Sequence, residues 1–81
     1  MNKLISMNKL DTGDTATVKI NNAPESIRRR LMDIGLTSNA KIECVGKSPM
    51  GDPAAYLING SVIAIRAADC KDILVECLRG V

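Results

Sequence analysis

Three consecutive arginines, Arg28 to Arg30, are the residues of this chain whose charge could recognise an anionic partner. They open the stretch "RRRLMDIGL", and on a helix successive residues lie about 100° apart, so the three side chains must fan out. Arg29 has Glu25 four residues before it and Asp33 four residues after it. No aromatic residues interleave to stack on bases. The pattern favours a solvated helix face over a phosphate-contacting surface, with a protein contact as the remaining alternative.

A second candidate site is the segment "SPMGDP", which reads as a defined loop between two strands. Its large apolar residue, Met50, either contacts a partner or folds back on the domain, and Met32 on the helix has the same two alternatives. We expect Gly51 to serve a turn and Asp52 to bond backbone amides inside its own loop rather than a ligand.

Cysteine chemistry and catalysis are both disfavoured. Cys44, Cys70 and Cys77 contain no CxxC pair, and Cys44 and Cys77 fall at inward strand positions, which is typical of reduced, buried thiols. The chain has no His and no Gly-rich phosphate loop. A weak metal site at Asp69, Cys70 and Asp72 is conceivable but not favoured. We therefore predict a protein that is not an enzyme, with no cofactor and no resident metal.

Length and composition indicate one small domain over residues 1–81, with residues 1–8 as a flexible N-terminus. Phe and Trp are absent and Tyr56 is the one aromatic residue, which excludes a groove lined by several aromatics. A net charge of +2 is small for a nucleic-acid binder. No segment resembles a signal peptide or a membrane span, so we expect a cytoplasmic protein without direct membrane insertion. Because "MNKL" occurs twice, translation from Met1 or from Met7 stays open.

Hydrophobic periodicity predicts five strands and one helix. Asn59-Gly60 between β-branched residues is typical of a tight hairpin. An apolar stripe of Ile27, Leu31 and Ile34 with Gly35 after it predicts a helix over about residues 24–34, and a short helical turn is expected before the last strand. The predicted strands cover residues 15–20, 40–46, 55–58, 61–66 and 73–78.

These elements are too short, and alternate too little with helices, for a parallel sheet. We predict a mainly β fold: a small five-stranded antiparallel SH3-like barrel, with its edges partly hidden by curling and one end plugged by the inserted helix.

The stretches "RRRLMDIGLTSNAKI", "SPMGDPAAYLINGSVIAIRAADC" and "ILVE" together resemble the FeoA family. The chain differs from the usual family pattern at Ser38-Asn39 and at Cys70, and both changes are physically mild. The resemblance implies an SH3-like barrel with a helical insertion. It also implies a cytoplasmic accessory protein that accompanies the ferrous-iron transporter FeoB and is not an enzyme.

The resemblance turns the two candidate sites into one hypothesis. We expect docking on the cytoplasmic side of a FeoB-type ferrous iron transporter through Arg28, Arg29, Met32, Met50, Gly51 and Asp52. Which part of the transporter is contacted, and whether its nucleotide turnover changes, stay open.

The alternative function is a metal-sensing regulatory domain, with transition metal ion binding, acting with a DNA-binding repressor. Binding of RNA is a weaker third interpretation, against which the small net charge argues, and we expect no nucleic-acid partner. A monomer is favoured, although an open barrel edge can dimerise.

Overall fold

A computed structural model describes residues 3–77 and contains one antiparallel sheet of six strands within that range. The strands run in the spatial order β1-β6-β2-β3-β4-β5. Their bounds are β1 Leu4–Ser6, β2 Thr15–Asn21, β3 Lys41–Lys47, β4 Ala54–Ile58, β5 Ser61–Ile65 and β6 Ile73–Cys77. Two helices, α1 Glu25–Asp33 and α2 Ala67–Cys70, and a 3-10 turn at Met7–Lys9 complete the fold. The mainly β, antiparallel prediction is confirmed.

The predicted strand count is wrong by one, because β1 lies in the segment that the sequence predicts to be a flexible N-terminus. Leu4–Ser6 pair with β6, with Ile5 opposite Val75, and the side chain of Met7 is fully buried. Three residues are too few to show an alternating pattern, and the pairing partner lies at the other end of the chain. Residues 1 and 2 of the predicted flexible segment lie outside the described residues.

The core lies between the inward face of the curled sheet and the helices. Tyr56, the one aromatic residue, is only 1% exposed and is the largest fully buried side chain of the described residues. Aliphatic and sulfur-containing side chains surround it, as expected for a core built without Phe and Trp. Fully buried neighbours in this cluster include Met7, Leu10, Val18, Leu36, Cys44, Ile58, Cys70, Ile73 and Val75.

The α1 helix confirms the predicted stripe. Leu31 is buried, while Ile27 and Ile34 are half-buried against the core. The helix ends in a Schellman motif: the Gly35 N–H donates to the Met32 carbonyl at 3.0 Å and the Leu36 N–H to the Leu31 carbonyl at 3.0 Å. Gly35 has φ +109°, a conformation that favours glycine. The fully buried Leu36 then anchors the chain where it leaves the helix.

The hairpin between β4 and β5 also forms as predicted. Asn59 and Gly60 adopt φ values of 51° and 82°, the left-handed pair that a two-residue type I′ turn requires. Ile58 and Ser61 face each other on either side of the turn. Over residues 3–77, no helix is long and apolar enough to cross a membrane.

Candidate partner-binding surface

Helix α1 places three of the six predicted site residues around one shallow surface depression. Arg28, Arg29 and Met32 line it together with Glu25 and Asp33, and its volume is about 270 Å³. We call this the α1 depression. Met32 is 48% exposed, so its side chain is not folded back into the core and is accessible to a partner.

The arginines fan out as the helical spacing predicts. Arg30 turns toward α2, where one of its terminal guanidinium nitrogens lies 3.5 Å from an Asp69 carboxylate oxygen. Arg28 and Arg29 are exposed, and neither is ion-paired with any carboxylate of residues 3–77. The α1 depression therefore presents two guanidinium groups that have no ion-pair partner within residues 3–77, beside the partly exposed thioether of Met32.

The remaining predicted site residues lie in the segment of residues 48–53, which we call the Met50 loop. The Ser48 N–H donates to the Pro53 carbonyl at 3.1 Å and the Gly51 N–H to the Ser48 carbonyl at 2.8 Å, so the loop closes on itself. Gly51 has φ +86°, which accounts for a glycine at this turn. The Met50 side chain is 91% exposed. Of the two predicted alternatives, the structure therefore excludes a methionine folded back on the barrel.

Asp52 does not bond inside its own loop, contrary to the prediction. Its Oδ1 atom accepts a hydrogen bond of 2.8 Å from the Ala67 N–H, fifteen residues away in sequence. Ala67 is the first residue of α2, and the first N–H groups of a helix have no partner within the helix. The carboxylate thus caps α2 from a distant loop.

Helix α2 consequently contacts both candidate regions. It holds the Met50 loop through Asp52 and Ala67, and it holds α1 through the ion pair of Arg30 with Asp69. No residue of the Met50 loop lines the α1 depression. The two exposed features are therefore both attached to α2 but do not share one depression.

The inner side of α2 is buried against Tyr56. Burial raises the pKa of the Cys70 thiol from 9.0 to about 11, while a hydrogen bond with Tyr56 opposes this rise. Burial also raises the pKa of the Tyr56 hydroxyl well above its usual range. Cys70 is a protonated core thiol at neutral pH, in agreement with the prediction of a small apolar residue at this site.

The three residues considered as metal ligands, Asp69, Cys70 and Asp72, do not form a metal-binding group within residues 3–77. Asp69 is directed to Arg30, and the Cys70 side chain is buried on the inner side of α2. Within residues 3–77, no three His, Cys, Asp or Glu side chains form a group that could hold a metal ion.

Two contacts of this region were missed by sequence reasoning, namely Asp52 with Ala67 and Arg30 with Asp69. Asp52 is a carboxylate in a turn segment. This pattern indicates that it accepts a hydrogen bond from a backbone N–H, but it does not indicate which N–H donates. Nothing local marks Asp69 as the partner of Arg30.

Comparison with solved structures shows that the fold is SH3-like and shared with FeoA proteins. An FeoA-like protein from Clostridium acetobutylicum matches with a TM-score of 0.90 and 34% identity, over 100% of this chain and 94% of that chain. The FeoA protein from Chlorobium tepidum matches with a TM-score of 0.87 and 35% identity, over 95% of this chain and 73% of that chain.

A manganese-dependent transcriptional repressor shares the fold alone, with a TM-score of 0.83, 18% identity, and coverage of 96% of this chain but 43% of that chain. Among curated proteins, none matches this chain significantly. The model of the FeoA domain matches residues 5–77, nearly the whole chain. This chain therefore belongs to the FeoA domain family, which is linked to ferrous iron transport.

Proposed function

We propose that this protein is a non-catalytic accessory of ferrous iron uptake that docks on the cytoplasmic side of a FeoB-type transporter. The α1 depression is the primary contact and Met50 a second one. The proposal is carried by the guanidinium groups of Arg28 and Arg29, which form no ion pair within the described residues and lie beside the half-exposed Met32. Arginine and methionine are both enriched at the centres of protein interfaces.

The chemistry of this surface defines what it binds. Two guanidinium groups favour carboxylates, which they can bind in bidentate geometry, and the flexible thioether of Met32 adapts to apolar side chains. The docking segment of the transporter therefore presents carboxylate and apolar side chains to Arg28, Arg29 and Met32. Glu25 and Asp33, which line the same depression, favour basic groups beside them. An accessory that binds one nucleotide-dependent conformation of the transporter more tightly than another will shift the equilibrium toward that conformation.

The Met50 loop contributes in a different way. Its tip holds an apolar side chain in solvent at 91% exposure, and Asp52 holds the base of the loop to α2. Exposed methionine on an anchored loop suits an adaptable contact whose backbone is already positioned.

The test is an amide NMR titration of the labelled chain with the isolated cytoplasmic GTP-binding domain of its transporter, with and without guanine nucleotide. We expect shifts in residues 25–33 and 48–53. Arg29→Glu should weaken binding about tenfold, or about 1.4 kcal/mol. Lys71→Glu makes the same change in charge on an exposed residue outside both regions, and should leave affinity unchanged.

Equal losses from the two variants would reduce the interaction to a nonspecific effect of net charge and would contradict the proposed surface. Absence of any shift at high domain concentration would refute docking on this domain.

The alternative function, a metal-sensing domain that acts with a DNA-binding repressor, is supported only by the fold shared with the manganese-dependent repressor. Titration of the chain with Mn²⁺ and Fe²⁺ discriminates the two functions. Saturable binding with a defined set of shifted amides would favour metal sensing over docking.

A further inference from the structure

Strand β5 is a free edge of the sheet. It pairs with β4 on one side and with no strand of residues 3–77 on the other. Its five residues, "SVIAI", carry no charge and no proline. Charged residues and proline are the residues by which edge strands usually avoid pairing with other chains. The unprotected edge of β5 is therefore available for pairing.

The hairpin register determines which backbone groups face outward. Ile58 and Ser61 close the two-residue turn and form a hydrogen-bonded pair, so the pair of Tyr56 with Ile63 is hydrogen-bonded as well. The intervening residues, Val62 and Ala64, direct their N–H and C=O groups away from β4. These are the groups that a further strand would bind.

The outer face of the same strand is apolar where polar residues are expected. Val62 is 63% exposed and lies opposite Leu57, which is 37% exposed. The two side chains form a short apolar strip that ends at the free edge. A strand added at this edge would extend the strip and cover part of it.

The inner side of the edge offers space for side chains of an added strand. A groove of about 330 Å³ runs between β5 and α1. Ile63 and Ile34 are among the residues that line it, and both are half-buried. Arg30 and Asp69, which are paired with each other, also line it.

We propose that β5 pairs with β5 of a second copy of this chain, antiparallel and centred on Ile63. In this register Val62 lies opposite Ala64 of the second copy, and Ala64 lies opposite Val62 of the second copy. The outward N–H and C=O groups of these residues therefore bond each other. Val62 is then a diagonal neighbour of Val62 of the second copy, and the two apolar strips become continuous.

The charges around the edge are compatible with this register. Arg66, the first charged residue after β5, falls opposite Gly60 of the second copy, so the pairing opposes no like charges. Two five-residue strands bury far less than the roughly 800 Å² per partner of a standard interface, so the dimer is weak and the chain is a monomer when dilute. This inference is independent of docking on the transporter.

The experiment is sedimentation equilibrium of the unmodified protein from about 10 µM to about 1 mM, the range in which a small interface assembles. We expect the average mass to rise toward twice the monomer mass. Val62→Lys places two like charges at the diagonal contact and should abolish the rise. Leu4→Lys, on the opposite edge strand β1, is the matched control and should leave it unchanged.

Hydrogen exchange on the unmodified chain gives a second test that requires no variant. Protection of the Val62 and Ala64 amides should increase severalfold with concentration, while the amide of Ile63, already bonded to β4, should not change. A constant monomer mass would overturn the proposal. So would self-association that Leu4→Lys removes, or that leaves the Val62 and Ala64 amides unprotected.

Discussion

Asp52 illustrates at the scale of one residue how a loop is held in place. Its hydrogen bond with the Ala67 N–H satisfies a donor at the start of α2 and fixes the base of the Met50 loop. The sequence indicated a carboxylate that accepts from backbone, and this part is correct. Its partner could not be predicted, because a turn pattern describes neighbours in sequence while this acceptor serves a distant helix.

Replacing Asp52 tests the value of this cap. Asp52→Ala leaves the Ala67 N–H without its acceptor, so the free energy of unfolding should fall by about 1 kcal/mol in urea titrations. Asp52→Asn retains an oxygen acceptor at the same position and should recover most of the loss. Equal destabilisation by both variants would show that charge, and not the hydrogen bond, is what matters.

The buried thiol of Cys70 predicts a pH dependence of stability. Its pKa is raised from 9.0 to about 11 in the folded state, so above pH 9 the unfolded chain loses this proton while the folded chain keeps it. Ionisation then favours the unfolded state, and the thiol should reduce stability by about 1 kcal/mol between pH 8 and pH 10.

Urea titrations at several pH values measure this effect as a difference between two proteins. Cys70→Ala removes the titrating group and should flatten the decline in stability from pH 8 to pH 10, whatever its stability at pH 7. A parallel decline in both proteins would show that the thiol does not contribute.

At the scale of elements, sequence patterns succeeded where the determinants are local. The hairpin at Asn59-Gly60 and the helix ending at Gly35 each follow from a few adjacent residues. Strand β1 was missed because Leu4–Ser6 become a strand only by pairing with β6, and nothing in three residues reveals a partner so far along the chain.

Gly35 lies where the end of α1 packs against the β4–β5 hairpin. A Cβ atom at Gly35 would lie 3.1 Å from Ile58 Cγ2, and the residue has φ +109°. Gly13, with φ +96° and no heavy atom within 4 Å of such a Cβ, is the matched control. Gly13→Ala should cost about 1 kcal/mol from backbone strain alone, and Gly35→Ala about 1 kcal/mol or more beyond that. Thermal unfolding of both variants provides the comparison, and equal costs would contradict a role for the contact with Ile58.

At the scale of the whole molecule, the short α2 helix connects features that the sequence presents separately. The Met50 loop and α1 are each attached to α2. The depression on α1 includes no residue of the Met50 loop. The outward fan of Arg28 and Arg29 was predictable from helical spacing. The positions of the candidate residues relative to α2 were not, because they depend on contacts between segments that come together only when the sheet curls.

Truncation of the N-terminal segment tests whether β1 stabilises the fold, since β1 is an edge strand that sequence patterns did not predict. Removing residues 1–6 deletes the pairing with β6 and leaves Met7, which is fully buried, as the first residue. The loss of backbone hydrogen bonds and of the half-buried Ile5 should lower the free energy of unfolding by about 2 kcal/mol or more. Removing residues 1–3 keeps β1 and should have little effect. If the two truncations unfold at the same urea concentration, β1 does not stabilise the fold, and initiation at Met7 would yield an equally stable domain.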